Sequence, residues 1–191
     1  MKNIFDPSNI INNYSYSDGS SIMERIKGAD SSDVQELKDC FNEVTLWKIN
    51  RRVGYKKKEE FEKLLPELKI VIPNLTLNNF KNAESLLDRL LKVDGIKLPM
   101  ASTYLHFLNE DVFPIIDQRA YREVYDNGVE PLREYKEPTP STKVKVYFDY
   151  IDASIKYCER INKEYSNKLN FKDIDKYLYQ VDILKGRKVN Y

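Results

Sequence analysis

VDGIKLPMASTYLHFLNEDVFPIIDQRAY, residues 93–121, is the stretch on which the fold turns. Ahead of it, Ala83, Leu86, Leu87, Leu90 and Leu91 recur at helical spacing until Asp94-Gly95 halts them. After a short turn, Met100, Ala101, Tyr104, Leu105 and Leu108 resume the same period. Two helices joined through Val93, Gly95 and Ile96 make a helical hairpin. Gly95 supplies the positive backbone dihedral that ends one helix and reverses the chain. Ala101 is small enough to let the two helices approach closely. Amides at the start of the second helix lack intrahelical acceptors and suit a phosphate. On Gly95 and Ala101 alone, a plain antiparallel helix pair with a glycine cap explains the turn at least as well. Pro114 pauses the period and a further helix is predicted from Asp117 to Tyr125. Asp117 is read either as the cap of that helix or as a carboxylate held over a pocket.

Outward from this stretch the chain stays helical. The asparagine- and serine-rich start, up to about Gly19, has no sustained period and reads as an arm or loop. Ser20 to Lys27 fits a short helix, and GADSSDV (28–34) is a helix-start signal. Val34, Leu37, Phe41 and Val44 then carry a helix through Trp47 and Ile49 towards Gly54. Lys58 to Ile72 is a further helix, with Pro66 marking a break or kink. IPNLTLNN (72–79) and the segment 129–143, with Pro131, Pro138 and Pro140, read as loops. Val144 to Tyr165 is a long helix and Phe171 to Leu184 the last one. Alternation with period two is nearly absent, so the fold class is all-α, with about eight to ten helices.

A length of 191 residues fits one domain or two small lobes sharing a core. The chain is 41% hydrophobic and 12% aromatic, enough for a real core. Charged residues make up 32%, yet the net charge is only +1, which excludes a globally basic nucleic-acid coat. Any anionic partner is met by a local patch. Cys40, Cys158 and the single His106 are too few for an ordinary zinc or iron–sulfur site, and the expected cofactor and metal content is none. No stretch approaches the roughly 20 apolar residues of a membrane span, and the first residues lack a signal-peptide core. A cytoplasmic protein without a membrane partner is expected, and its protein partners are undefined.

GIKLPMASTYLHFL followed by FPIIDQRAY resembles the helix-hairpin-helix DNA glycosylase superfamily, and most closely a bacterial glycosylase-like branch. The likeness is good over about 30 residues and loose over perhaps 80. It implies a two-lobed helical domain spanning 1–191, with the hairpin region at 83–125 and the N- and C-terminal helices completing the second lobe. Gly95, Ile96 and Lys97 then stand where the family's hairpin meets the DNA backbone, and Asp117 stands at the family's catalytic aspartate. Two departures matter. Lys97 occupies the place of a second hairpin glycine. Pro99 occupies the place of the Schiff-base lysine of bifunctional members, so no β-lyase step is expected. The implied function is a monofunctional N-glycosylase that binds duplex DNA and excises a damaged or modified base. The alternative is a catalytically inactive module that grips DNA or a protein.

Arg119 and Arg122 suit either phosphate or neighbouring acids such as Glu123. Arg51 and Arg52 lie in LWKINRRVGYKKK (46–58), where basic residues interleave with aromatics as in phosphate- and base-binding surfaces. Trp47 and Tyr104 are candidates for a base pocket, with core packing as the other reading of Trp47. His106 reads as a satisfied helix histidine. The C-terminal KGRKVNY is a basic tail with or without a nucleic-acid partner.

Overall fold

Leu98–Leu108, the helix after the Gly95 turn, is enclosed by the rest of the protein: every residue in it except Pro99 is buried. The structure is a computed structural model that describes residues 2–12, 14, 19–49, 58–126, 139–166 and 169–188. Its α-helices are α1 (Pro7–Asn12), α2 (Ser20–Gly28), α3 (Val34–Ile49), α4 (Lys58–Val71) and α5 (Glu84–Leu91). They continue with α6 (Leu98–Leu108), α7 (Gln118–Tyr125), α8 (Pro140–Tyr165) and α9 (Ile174–Leu184). Short 3-10 turns precede α1, α5 and α9 and follow α4. There is no strand among the described residues, so the protein is all-α.

A helix apolar on all sides needs neighbours on all sides. α6 has α2, α3 and α5 against it, and α4 packs on α3 and α5. The C-terminal elements gather on α9, which meets α1 and α7, while α8 meets α5 and α7. One continuous apolar core runs through both groups, from Ile10 and Ile26 to Leu178 and Val181. The hairpin has the expected geometry. Gly95 has φ +93°, Val93 and Ile96 are buried beside it, Ala101 is fully buried, and α5 packs against α6.

Three expectations need correction. The N-terminal segment is not simply an arm, because Pro7–Asn12 is helical and buries Ile10. Asp6 begins it by accepting from the Ser8 amide at 2.9 Å, with Pro7 in the first helical position. Pro66 does not break α4, which runs on to Val71. Buried Phe61, Leu64, Leu65 and Leu68 hold the helix on both sides of the proline. α8 begins before Val144: Thr139 accepts from the Thr142 amide in a capping box, and Pro140 opens the first turn. Elsewhere the boundaries follow the sequence, with Asp33 capping α3 through the Glu36 amide at 2.9 Å.

Cys40 and Cys158 are both buried and free. No helix among the described residues is long and apolar enough to cross a membrane.

Candidate functional site

Between α6 and α7 the chain runs through Phe113, Pro114, Ile115 and Ile116 without regular structure, yet all four residues are buried. Buried backbone without a helix or sheet must find other hydrogen-bond partners. Side chains from three helices supply them. His106 Nδ1 donates to the Phe113 carbonyl at 3.0 Å, the Tyr147 hydroxyl to that of Pro114 at 2.9 Å, and the Tyr150 hydroxyl to that of Ile115 at 3.2 Å. The Ile115 amide donates to Asp175 Oδ2 at 3.3 Å, and the Ile116 amide to Ser102 Oγ at 3.1 Å. Burial pushes both phenols well above their ordinary pKa, so they remain protonated donors. The next residue after this strap is Asp117.

Asp117 has extended backbone, φ −140° and ψ 176°, and caps α7 by accepting from the Ala120 amide at 2.8 Å. Its side chain is half-buried and lines a cavity of about 720 Å³. That volume falls within the roughly 300–1,000 Å³ usual for small-molecule sites. Trp47, Phe107, Tyr14 and Tyr179 give the cavity aromatic surface, while Lys48, Lys172, Lys176 and Arg119 bring positive charge. Trp47 and Phe107 meet edge to face, with ring centroids 4.9 Å apart at 67°. Gly19 crosses this pair so closely that a Cβ there would lie 2.7 Å from Phe107 Cζ. A side chain there would have to push the Phe107 ring aside.

A helix N-terminus favours an ionised carboxylate such as that of Asp117. Burial outweighs it. Desolvation raises the Asp117 pKa, and the nearby Asp175 carboxylate adds to the rise; Lys48 and the Ala120 amide act in the opposite direction without cancelling it. A poorly hydrated carboxylate interacts more strongly with positive charge developing beside it.

The other predicted residues divide. Trp47 both packs on Phe107 and lines the cavity, so its two readings are compatible. Tyr104 does not line it. This residue is 0% exposed, with its hydroxyl 2.7 Å from Thr45 Oγ1 in the core between α3 and α6. Its place on α6 faces inward, and the aromatic residue of α6 that reaches the cavity is Phe107. His106 is satisfied through Nδ1, as expected, and also lines the cavity. Arg119 lies on the wall but donates to Asp182 at 2.9 Å and to the Arg187 carbonyl. Arg122 is buried against the same Asp182, with contacts of 2.8 and 2.5 Å, so the acid partner of both arginines is Asp182 rather than Glu123. Glu123 instead receives Lys185 and the Tyr157 hydroxyl. In the basic tail, Lys185 and Arg187 are thereby engaged with acids of the protein itself. Arg51 and Arg52 lie outside the described residues.

Gly95 and Lys97 are exposed, Ile96 is buried, and none of the three lines the cavity. The start of α6 offers fewer free amides than the hairpin pattern promised. Pro99 has none, and the amides of Met100 and Ala101 both donate to the Lys97 carbonyl at 2.9 Å. The amides of Lys97 and Leu98, with the Lys97 ammonium, are what remains for an anion.

Asp175, Lys172, Lys176 and Tyr179 were missed as site residues. Their positions on and before the last helix carry no local signal, since acids and lysines at a helix start are routine. Only the fold brings α9 opposite Asp117. Comparison of the chain with family models, with curated proteins and with solved structures finds no match in any of the three.

Proposed function

We propose that the protein is a monofunctional DNA N-glycosylase with the two-lobed helix-hairpin-helix glycosylase architecture. The observation that carries this reading is the placement of Asp117. A fixed strap delivers its half-buried carboxylate to the wall of a cavity that also offers aromatic faces and lysines. An extruded base stacks on the Trp47 and Phe107 side of the cavity. The C1′–N bond breaks with positive charge growing on the sugar, and Asp117 stabilises that charge. The oxygen of a water molecule bonds to C1′, and the base leaves with a proton. Lys97 and the amides beside it hold a backbone phosphate from outside the cavity.

Base release from duplexes carrying a panel of altered bases, revealed as alkali-labile sites, tests this. Asp117→Asn keeps a capping oxygen but no charge, and is expected to lose roughly 10²–10³-fold in rate, the usual effect of removing one preorganised electrostatic group. Release that survives in Asp117→Asn removes that residue from catalysis. The second reading is the inactive DNA- or protein-binding module; within it, the scarcity of free amides at the hairpin weighs towards a protein partner. No release from any duplex, with salt-sensitive DNA binding weakened by Lys97→Glu, selects a DNA-binding module.

A further inference from the structure

His106 is the single histidine of the chain. It stands on α6, is 4% exposed, and lines the cavity that holds Asp117. Its Nδ1 lies 3.0 Å from the Phe113 carbonyl. A carbonyl oxygen only accepts, so Nδ1 carries the hydrogen and Nε2 is left with a bare lone pair. Nε2 has no hydrogen-bond partner among the described residues. Nor is it one of their sealed, unpartnered polar atoms, which are Ser154 Oγ, Asp175 Oδ1 and Arg187 Nη1. The small part of His106 that stays accessible therefore includes an unpaired acceptor, and the space it opens to is the cavity.

The lining sets acids beside cations, so charge alone does not choose a role for this atom. The chemistry does. Water attacking C1′ must give up a proton. If Asp117 took it, the carboxylate would lose the charge that steadies the sugar. The other acids of the lining are spent elsewhere. Asp175 Oδ2 holds the Ile115 amide and its Oδ1 is sealed, Glu110 pairs with Lys27 at 3.3 Å, and Glu24 is exposed. A neutral imidazole fixed through its far nitrogen is the ordinary form of a general base.

We propose that His106 Nε2 is the general base of the reaction, taking a proton from the water that attacks C1′. This rests on the glycosylase reading and gives it a second catalytic residue. The water oxygen bonds to C1′ and keeps one hydrogen as the new sugar hydroxyl. The electron pair of the C1′–N bond leaves with the base. The other hydrogen passes to Nε2, and the imidazolium then hands it to the departing nitrogen. Asp117 and His106 thus divide charge and proton between them. The Phe113 carbonyl held by Nδ1 belongs to the strap that delivers Asp117, so one piece of backbone places both.

A single histidine makes the test selective. Diethyl pyrocarbonate carbethoxylates an unprotonated imidazole nitrogen that it can reach, and the ultraviolet absorbance of the product reports it. The folded full chain is expected to take up one such group, to lose base release with it, and to regain release when hydroxylamine removes it. A folded protein whose histidine resists the reagent, or one that releases base unchanged after modification, overturns the proposal. His106→Asn puts an amide nitrogen close to the place of Nδ1, so the Phe113 carbonyl keeps a donor while the base is gone. Its single-turnover release is expected to fall roughly 10²-fold or more, the usual worth of a general base. Its melting temperature and its affinity for a duplex holding an abasic-site analogue are expected to stay as in wild type. A histidine that only held the strap would leave His106→Asn as fast as wild type. That result overturns the proposal, while release that still depends on Asp117 leaves the glycosylase reading standing. Wild type that releases no base from any duplex takes down both. If His106→Asn does not fold, carbethoxylation of wild type decides alone.

Discussion

At the scale of single residues, Asp117 answers to two demands that pull apart. Its Oδ1 caps α7 through the Ala120 amide, while the carboxylate as a whole sits where water is scarce and Asp175 is near. The raised pKa means that the folded protein holds the Asp117 proton more tightly than the unfolded chain does. Stability from this group is therefore present at low pH and lost as pH rises through the unfolded and then the folded value. Asp117→Asn cannot ionise and still presents a capping oxygen. It is expected to melt above wild type at neutral pH, with the gap closing as pH is lowered into the range where wild-type Asp117 takes up its proton. Thermal melts across that range check this, and a gap independent of pH contradicts it. The same shift moves the acid limb of base release above the ordinary carboxylate range, because charge stabilisation requires the ionised form.

At the scale of elements, the strap at 113–116 is the device that turns a helical scaffold into a site. Each buried backbone group described above is held from a different place in the chain, by Ser102 and His106 of α6, Tyr147 and Tyr150 of α8, and Asp175 of α9. Tyr147→Phe keeps the ring and removes one donor, leaving the buried Pro114 carbonyl without its partner. A loss of about 1–3 kcal/mol in stability is expected from that, measurable by urea unfolding, and base release should fall with it as Asp117 loses its fixed placement. Unchanged stability would mean that water replaces the phenol. The helices were legible because the apolar period of α3, α5, α6 and α8 spans several turns. α1 was not, since its six residues are shorter than the window in which a period can be counted. Its signal was local instead, in Asp6 and Pro7. The strap was illegible for another reason: its donors and acceptors lie up to 60 residues away, and a tyrosine inside a helix reads as core whichever carbonyl it serves.

At the scale of the whole molecule, Asp117 could be singled out from the sequence while the cavity around it could not, because its walls come from α1, α2, α3, α6, α7 and α9 together. The charge balance behaves likewise. A net charge of +1 leaves any nucleic-acid contact to a local patch, and of the basic tail that is one candidate, Lys185 and Arg187 join an ion network linking α7 to α9. Asp182 is its centre, 0% exposed, with Arg122 and Arg119 within hydrogen-bond distance and Arg187 Nη1 at 3.6 Å. Arg122 is itself buried, so the network gains little over an apolar contact of similar volume, yet removing one member leaves charge stranded in the interior. Asp182→Asn keeps the shape and deletes the buried anion that Arg119 and Arg122 share. About 3–5 kcal/mol of stability is expected to go with it, or about 2–4 °C in Tm for each kcal/mol at this chain length. The α7–α9 contact carries Asp117 on one helix and Asp175 on the other. Loosening it should therefore weaken base release below the melting transition, before the protein unfolds. A variant that melts early but releases base as wild type does up to that transition would separate the network from the cavity and leave it a purely structural lock.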